Sequence, residues 1–133
     1  MIKPIMKSEF FLRLPSEDAG PDDAATGQDL LDTLHEHEHE CVGLAANMIG
    51  VRKRIICVKD GNRVLLMYNP QILEQVNAYQ TSEGCLSLTG ERPCTRYRRI
   101  KVEYLDENFV HRIKNFSGYT AEIIQHEIDH CNG

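Results

Sequence analysis

The chain has 133 residues and a mass of 15.2 kDa, the size of one domain built on a single core. Hydrophobic residues make up 41% and charged residues 26% of it, which is typical of a soluble globular chain and argues against a membrane-spanning or disordered one. Its 15 basic and 20 acidic residues give a net charge of −5, which argues against a sequence-independent grip on nucleic acid or on an anionic membrane.

The first seven residues do not predict an export signal. Two lysines and a proline interrupt their apolar side chains, so the continuous apolar region of a signal peptide is missing. The 5 cysteines are odd in number and form no CxxC pair, which is typical of thiols in a reducing compartment. We therefore expect a cytoplasmic protein in which any special cysteine is a metal ligand or a nucleophile.

The predicted elements begin with an irregular segment. Residues 1–26 are interrupted by prolines, a glycine and acidic residues, and we interpret them as a surface arm. Residues 28–40 predict an amphipathic helix. Its apolar stripe consists of Leu30, Leu31 and Leu34. Its opposite, polar face consists of Asp29, Asp32 and Thr33. His35 and His39 share one face near its end, but alternating His and Glu residues are more typical of a solvated helix end than of a metal site.

From residue 54 the pattern changes to period two and β-branched residues. The segments predicted as strands are 54–58, 63–67, 71–76, 100–104 and 109–116, with turns at 59–62 and 106–108. Residues 118–130 predict a closing helix, for which Ser117 is the expected amino-terminal cap. The expected fold is α+β, one domain over residues 1–133, with a mostly antiparallel sheet around the closing helix and the first helix packed outside.

The closing helix contains the sequence HEIDH at residues 126–130. His126 and His130 lie four residues apart, so both imidazoles project from one face and can hold one metal ion. Glu127 falls beside them, where it can take a proton from a water bound to that ion. Tyr119 and Ile123 continue the histidine face as an apolar stripe, so we expect this face to pack inward. Two hydrogen-bonded core histidines are the alternative interpretation.

An open catalytic metal site needs a third protein ligand. No glutamate or histidine follows the helix motif at the offsets that zinc proteases use. A cysteine is the remaining candidate, and Cys85 follows Gly84 in a polar setting that makes a plain core role less convincing. The ordinary role of an isolated intracellular cysteine is nevertheless that of a small core hydrophobe.

Three segments of the chain occur in the order of the three signature motifs of peptide deformylase. They read GLAANMIG at residues 43–50, EGCLS at 83–87 and QHEIDH at 125–130. The segments 67–70 and 100–106 agree as well, so the chain resembles this family from about residue 28 to its end.

The resemblance implies that Cys85, His126 and His130 hold one divalent metal ion, most often Fe²⁺, with Zn²⁺ or Ni²⁺ as substitutes. It implies hydrolysis of the formyl group from the N-terminal formylmethionine of newly made polypeptides, with Glu127 moving a proton from water to the leaving amine. The expected partners are a formylmethionyl peptide and, transiently, the ribosome, without direct binding to nucleic acid or membrane. The family's oxyanion donors are the backbone N–H at the position of Leu86 and a glutamine side chain.

Met48 stands where the family has that glutamine, and a thioether cannot donate a hydrogen bond to an oxyanion. Loss of one such donor costs on the order of 10²–10³ in rate in an unrelated hydrolase. Two alternatives to an active deformylase follow: a weakened or inactive deformylase-like metal-binding protein, and an amide hydrolase with shifted acyl specificity. Cys41 and Glu122 are smaller departures, in place of a glycine and an arginine of the family.

Five residues are candidates for substrate binding. They are Val42, Gly43, Tyr119, Ile123 and Arg92. Most of them could form an apolar slot for the methionine side chain, and Gly43 lets the substrate backbone approach closely, although ordinary core packing explains the apolar ones equally well. Asp129 is expected to form a salt bridge with Arg96 rather than to bind the metal.

Overall fold

One five-stranded sheet, in the order β1-β2-β3-β4-β5 with every neighbouring pair antiparallel, carries the fold. In the computed structural model, which describes residues 1–133, the strands are β1 (Gly43–Ala45), β2 (Ile55–Asp60), β3 (Arg63–Glu83), β4 (Arg92–Leu105) and β5 (His111–Ser117). The helices are α1 (Glu9–Leu12), α2 (Ala24–Glu36) and α3 (Gly118–Asn132), with short 3₁₀ turns at Pro21–Asp23 and Ala46–Ile49. The predicted α+β fold is confirmed.

The strand β3 is longer than predicted, since the segments 63–67 and 71–76 belong to one strand of 21 residues. Its pairing with β4 is irregular between Tyr68 and Gln71. Asn69 has a positive φ of 54° at that irregularity, a conformation that asparagine tolerates. Proline has no N–H for a ladder bond, and Pro70 lies where the regular pairing is interrupted. The gap between the two predicted segments is therefore a bulge inside one strand.

The interpretation of residues 1–26 as a plain surface arm is wrong in two respects. Residues Glu9–Leu12 are helical, and Leu12 and Ala19 are buried in the main core. The side chain of Asn69 anchors the segment, because its amide oxygen accepts from Ala19 N at 2.7 Å and its amide nitrogen donates to Ala19 O at 2.9 Å. The segment is thus part of the packed protein.

The helix α2 begins and ends four residues before its predicted limits. The 3₁₀ turn Pro21–Asp23 leads directly into it, and Ala24 and the alanine after it are strong helix formers. Thr33 is buried rather than solvated, and its hydroxyl donates to Asp29 O at 2.8 Å. The His35 side chain is 82% exposed and lies 3.3 Å from a Glu38 oxygen, in agreement with the prediction of a solvated helix end.

The closing helix α3 packs against the sheet through its apolar rows. Ile123, Ile124, Ile128 and Cys131 are buried in the same core cluster as β2 and the inner face of β4. Tyr119 is 65% exposed, so the prediction that it packs inward is wrong. Ser117 occupies the N-cap position as predicted, but its side chain makes no capping hydrogen bond. No helix in the structure combines the length and apolar character needed to cross a bilayer.

The turn between β4 and β5 is organised by one carboxylate. Asp106 accepts hydrogen bonds from Arg112 Nε at 2.9 Å, from Val110 N at 3.0 Å and from Asn108 N at 2.9 Å. The hydrogen bond from Arg112, followed by the one from the Val110 amide, holds the pKa of Asp106 below its usual value. Phe109 adopts a positive φ of 58° in this turn and stacks on Tyr68, with ring centroids 4.2 Å apart.

Candidate active site

Three potential metal ligands converge between the β3–β4 loop and α3. The ligand atoms of Cys85, His126 and His130 all lie within 4.8 Å of one another. Cys85 Sγ is 3.4 Å from His130 Nε2, and the two imidazole rings meet edge to face with centroids 5.0 Å apart. The helical spacing predicted the pairing of the histidines, and the sheet brings the cysteine from 41 residues earlier in the chain to the same point.

Glu83 fixes the orientation of His126. Its Oε1 lies 2.8 Å from His126 Nδ1, so a proton on Nδ1 is engaged and Nε2 is left free to bind a metal. Arg96 holds the same carboxylate with Nε at 3.0 Å and Nη2 at 2.7 Å, and its Nη1 donates to Asp129 at 2.7 Å. The predicted ion pair between Asp129 and Arg96 is therefore present. A chain of ion pairs therefore leads from Asp129 through Arg96 and Glu83 to His126.

The charges of the triad fit a cation. Burial disfavours the Cys85 thiolate, but hydrogen bonds with His126 and His130 outweigh it and lower the pKa of Cys85 to about 5. Burial opposes protonation of His126, yet its hydrogen bond with Cys85, together with Glu127 and Glu83, raises its pKa to about 10, so these negative groups hold a proton at the place that a divalent ion would take. Thiolate and imidazoles are ligands that zinc and ferrous iron accept, so the donor set suits a divalent ion.

Glu127 lies beside the triad in a buried position. Glu127 is only 4% exposed, and its Oε1 is buried without a hydrogen-bond partner. Burial raises the pKa of Glu127, while the positive charges of His126 and His130 act in the opposite direction. A carboxylate without a fixed protein partner and with a raised pKa is suited to accept and return a proton.

Gly43 allows the backbone of β1 to lie directly against Glu127. A Cβ at Gly43 would lie 2.7 Å from Ile123 Cγ2 and 2.9 Å from Glu127 Oε2, closer than real Cβ contacts. The strand β1 pairs with β2 on one side only, so its other edge is free. This edge forms a wall of the cavity that holds the candidate reaction centre.

A cavity of about 560 Å³ contains Glu127 together with most of the residues predicted to bind substrate. Val42, Gly43, Tyr119 and Ile123 line it. Arg92 does not: it lines an adjoining cavity of about 330 Å³, which Cys85, His126 and His130 also line, and its guanidinium lies 3.6 Å from Glu9. Arg92 therefore lies apart from the other four candidates, and its part in substrate binding stays a prediction.

Leu86 and Met48 line the same cavity from two different loops. Met48 is buried, and its sulfur accepts a hydrogen bond from Ala45 N at 3.4 Å. It therefore packs as an apolar residue that closes its own 3₁₀ turn and offers no donor to the cavity. Glu122, the other departure from the family pattern, also lines the cavity and accepts from Tyr79 Oη at 3.2 Å.

The sequence does not predict the contact of Glu83 with His126 or the contact of Lys7 with Leu86. Glu83 is the first residue of EGCLS, and its contact with a histidine 43 residues later has no local signal. Lys7 donates a hydrogen bond through Nζ to Leu86 O, 79 residues away in sequence. Both contacts depend on how the sheet and the amino-terminal segment pack.

An HExxH helix packed against an antiparallel sheet, with a cysteine close to both histidines, is the arrangement of a metal-dependent hydrolase of the α+β class. The chain belongs to the polypeptide deformylase family, whose sequence profile matches residues 6–133. A peptide deformylase of Clostridium beijerinckii is 51% identical over 133 residues, which are 100% of this chain and 98% of the relative.

Solved structures of the class I type b peptide deformylase from Acinetobacter baumannii share the fold. The complex with Met-Ala-Ser has a TM-score of 0.87 and 30% identity and covers 100% of this chain and 96% of its own. The actinonin complex has a TM-score of 0.87 and 29% identity, with coverages of 99% and 93%. The predicted enzyme class and activity, removal of the formyl group from the N-terminal formylmethionine of new polypeptides, are confirmed through the family.

Proposed function

We propose that this chain deformylates N-formylmethionyl peptides with Glu127 as the proton-transferring group and with one divalent ion held by Cys85, His126 and His130. One observation carries the proposal: one ligand atom from the β3–β4 loop and two from α3 lie within 4.8 Å of one another, next to a buried carboxylate without a partner. All 24 residues of the apolar core form one cluster, which supports residues 1–133 acting as one catalytic domain.

The metal we propose is Fe²⁺, with Zn²⁺ or Ni²⁺ as substitutes. One thiolate and two imidazoles suit ferrous iron and zinc alike, and the resemblance to bacterial deformylases favours iron. When bound, the ion lowers the pKa of a coordinated water and polarises the formyl carbonyl. Metal analysis after anaerobic purification distinguishes iron from zinc.

Glu127 moves the proton in the proposed reaction. Its carboxylate accepts a proton from the attacking water and gives it to the leaving amine nitrogen as the C–N bond breaks, so that formate and a free N-terminal methionine are released. The free Oε1 of Glu127 and its raised pKa favour both steps. The Leu86 N–H is the proposed donor to the developing oxyanion, and Met48 adds none.

The free edge of β1 is the proposed site for the substrate backbone. An extended peptide can pair with an exposed strand edge, and Gly43 has no side chain to keep it away from Glu127. Ile123, Val42 and the covered part of Tyr119 supply apolar surface for the methionine side chain. Met-Ala-Ser bound to the Acinetobacter baumannii enzyme supports a peptide of this kind as the ligand.

Formate release from formyl-Met-Ala-Ser by anaerobically purified, iron-loaded protein is the direct test. Glu127→Gln keeps the size of the side chain but cannot accept the proton, so we expect at least about a 10²-fold loss of kcat with an unchanged metal content. Glu107→Gln, a change of an exposed carboxylate in the β4–β5 turn, is the matched control and should keep full activity. Full turnover by Glu127→Gln would rule out the proposed role of this carboxylate.

Met48 sets the expected level of activity. Met48→Gln restores a donor at this position, and we expect kcat to rise by up to about 10²-fold, the usual effect of one oxyanion donor. Met48→Leu is the matched control, because it preserves an apolar side chain without a donor, and it should leave kcat nearly unchanged. A faster Met48→Leu variant would mean that the thioether acts through packing. Formyl and acetyl peptides compared side by side test a shifted acyl specificity.

We also infer a cytoplasmic location and a transient contact with the ribosome, because the proposed substrate is a newly made polypeptide. Arg98 and Arg99 on β4 are two adjacent exposed cations. Co-sedimentation with ribosomes at low and at high salt measures this contact, which should weaken as salt screens it.

A further inference from the structure

The segment of residues 5–7 connects two loops that line the reaction cavity. Met6 N donates to Met48 O at 2.7 Å, and Met6 packs against the apolar core. The next residue, Lys7, donates through Nζ to Leu86 O. Because Met48 and Leu86 lie on the 3₁₀ turn and on the β3–β4 loop, this short segment fixes the relative position of both.

The contact of Lys7 continues through one peptide group to the metal-ligating cysteine. Leu86 O and Ser87 N belong to the same peptide unit, and the Ser87 N–H favours the thiolate form of Cys85. An ammonium group therefore contacts the oxygen end of this peptide, and the N–H end acts on the Cys85 sulfur. Hydrogen bonds arranged in a chain polarise one another, and those that involve charged groups are the stronger ones.

The orientation of this peptide also constrains the N–H of Leu86. That N–H belongs to the adjoining peptide unit, joined to the first at the Leu86 Cα, so a rotation of one unit moves the other. Met48 offers no donor, which leaves the Leu86 N–H as the expected oxyanion donor in this chain. A small rotation at Leu86 would thus cost more here than in an enzyme with two donors.

We propose that Lys7 is a positioning residue for the deformylation: its ammonium holds the Leu86–Ser87 peptide so that Leu86 N–H faces the cavity and Ser87 N–H faces the Cys85 sulfur. This proposal rests on the proposed function of the same site. Lys7 does not line the cavity. Its effect is therefore on kcat and on the environment of the sulfur, rather than on KM.

Three variants test the activity side of the proposal. Lys7→Met removes the ammonium and retains an apolar stem, and we expect kcat to fall about tenfold with KM nearly unchanged, less than the full loss of an oxyanion donor. Lys7→Arg keeps a cationic donor and should recover most of the rate. Lys3→Met is the matched control, because Lys3 lies four residues before Lys7 but its ammonium approaches Asp29, at 3.9 Å, instead of Leu86.

Two further measurements do not depend on turnover. In the cobalt-substituted protein, the thiolate-to-metal absorption band should shift in Lys7→Met and stay unchanged in Lys7→Arg and Lys3→Met. In the zinc-loaded protein, the Ser87 amide should be protected from hydrogen exchange, and the protection should fall in Lys7→Met. Thermal unfolding of each variant shows whether a loss of rate reflects a loss of folded protein.

The outcomes separate this proposal from the proposed function. If no variant and no wild-type sample releases formate, the proposed function fails, while the cobalt band and the Ser87 amide still report on Lys7. If Lys7→Met matches Lys3→Met in kcat, in the cobalt band and in amide exchange, Lys7 does not position this peptide. An unprotected Ser87 amide in the wild-type protein would overturn the proposal as well.

Discussion

Gly43→Ala tests whether the close approach of β1 to Glu127 is needed for catalysis. The added Cβ would lie 2.7 Å from Ile123 Cγ2 and 2.9 Å from Glu127 Oε2. Ordinary contacts of this kind are about 3.5–4 Å, so the variant must open a gap of about 1 Å. Glu127 and Ile123 are both buried in α3, which packs on the sheet, so neither can turn away into solvent.

Two effects of this substitution can be estimated. Overpacking a buried site costs about 1–3 kcal/mol of unfolding free energy. A displacement of about 1 Å of a catalytic group can cost about 10²-fold in rate. We therefore expect Gly43→Ala to lose about 10²-fold in kcat for formate release, measured at a temperature where chemical denaturation shows the variant to be folded, and to retain one metal ion per chain.

Gly84→Ala is the matched control for this experiment. It lies in the second motif beside Cys85, and its added Cβ would meet nothing nearer than Gly90 O at 3.8 Å. We expect its kcat to stay within about threefold of the original protein. An equal loss in both alanine variants, or full activity of Gly43→Ala, would refute the argument that β1 must approach Glu127 without a side chain.

Three other predictions concern the frame around the site. Glu83→Gln removes the charge that orients His126, so metal affinity, measured by competition with a chelator, should fall about 10–100-fold, and denaturant unfolding should show a loss of about 3 kcal/mol. Gly27→Ala would place a methyl group on the Tyr68 hydroxyl and should lower the unfolding free energy by about 1–3 kcal/mol with kcat unchanged. The lowered pKa of Asp106 stabilises the fold above its usual pKa, so stability is lost as the pH falls below about 4, and Asp106→Asn should reduce this loss in acid unfolding curves.

The sequence was most informative where a pattern repeats over several turns or alternations. The closing helix was predicted within two residues at its carboxyl end, because apolar residues recur along it at helical spacing. The same spacing does not show how far the sheet extends, which is why Tyr119 was expected inside although the first turn of α3 leaves it in solvent. Periodicity gives the face of a helix but not the neighbour that covers it.

The β3 strand shows how a local signal can mislead. The strands predicted at 63–67 and 71–76 are one strand in the structure, and between them lie Asn69 and Pro70, a pair typical of a turn. In the structure, Asn69 uses its side chain to hold Ala19, and the irregular register accommodates the proline. The contact that decides the outcome is 50 residues away, so no window around Asn69 could reveal it.

The residues of the site differ in the same way: spacing along one helix predicts some of them, and contacts between distant parts of the chain place the others. Two histidines and a glutamate on one helix can be read from spacing alone, whereas Cys85 depended on the resemblance to a family and Glu83 and Lys7 on no sequence signal at all. The contacts of these three residues are made by the long β3–β4 pair and by the amino-terminal segment. Residues that touch the reacting atoms are thus easier to predict than those that orient them.

Met48 connects stability and catalysis at one position. A thioether in this buried site needs a single weak contact, from Ala45 N, whereas a glutamine amide would bring two donors and an acceptor into a place where each needs a partner. Apolar packing there stabilises the 3₁₀ turn and removes one oxyanion donor at the same time. The remaining donor, Leu86 N–H, then has to be oriented well, and the chain supplies contacts to both loops from one segment through Met6 and Lys7. A variant that regains the glutamine should therefore depend less on Lys7. We expect Lys7→Met to lower kcat by a smaller factor in the Met48→Gln background than in the original protein.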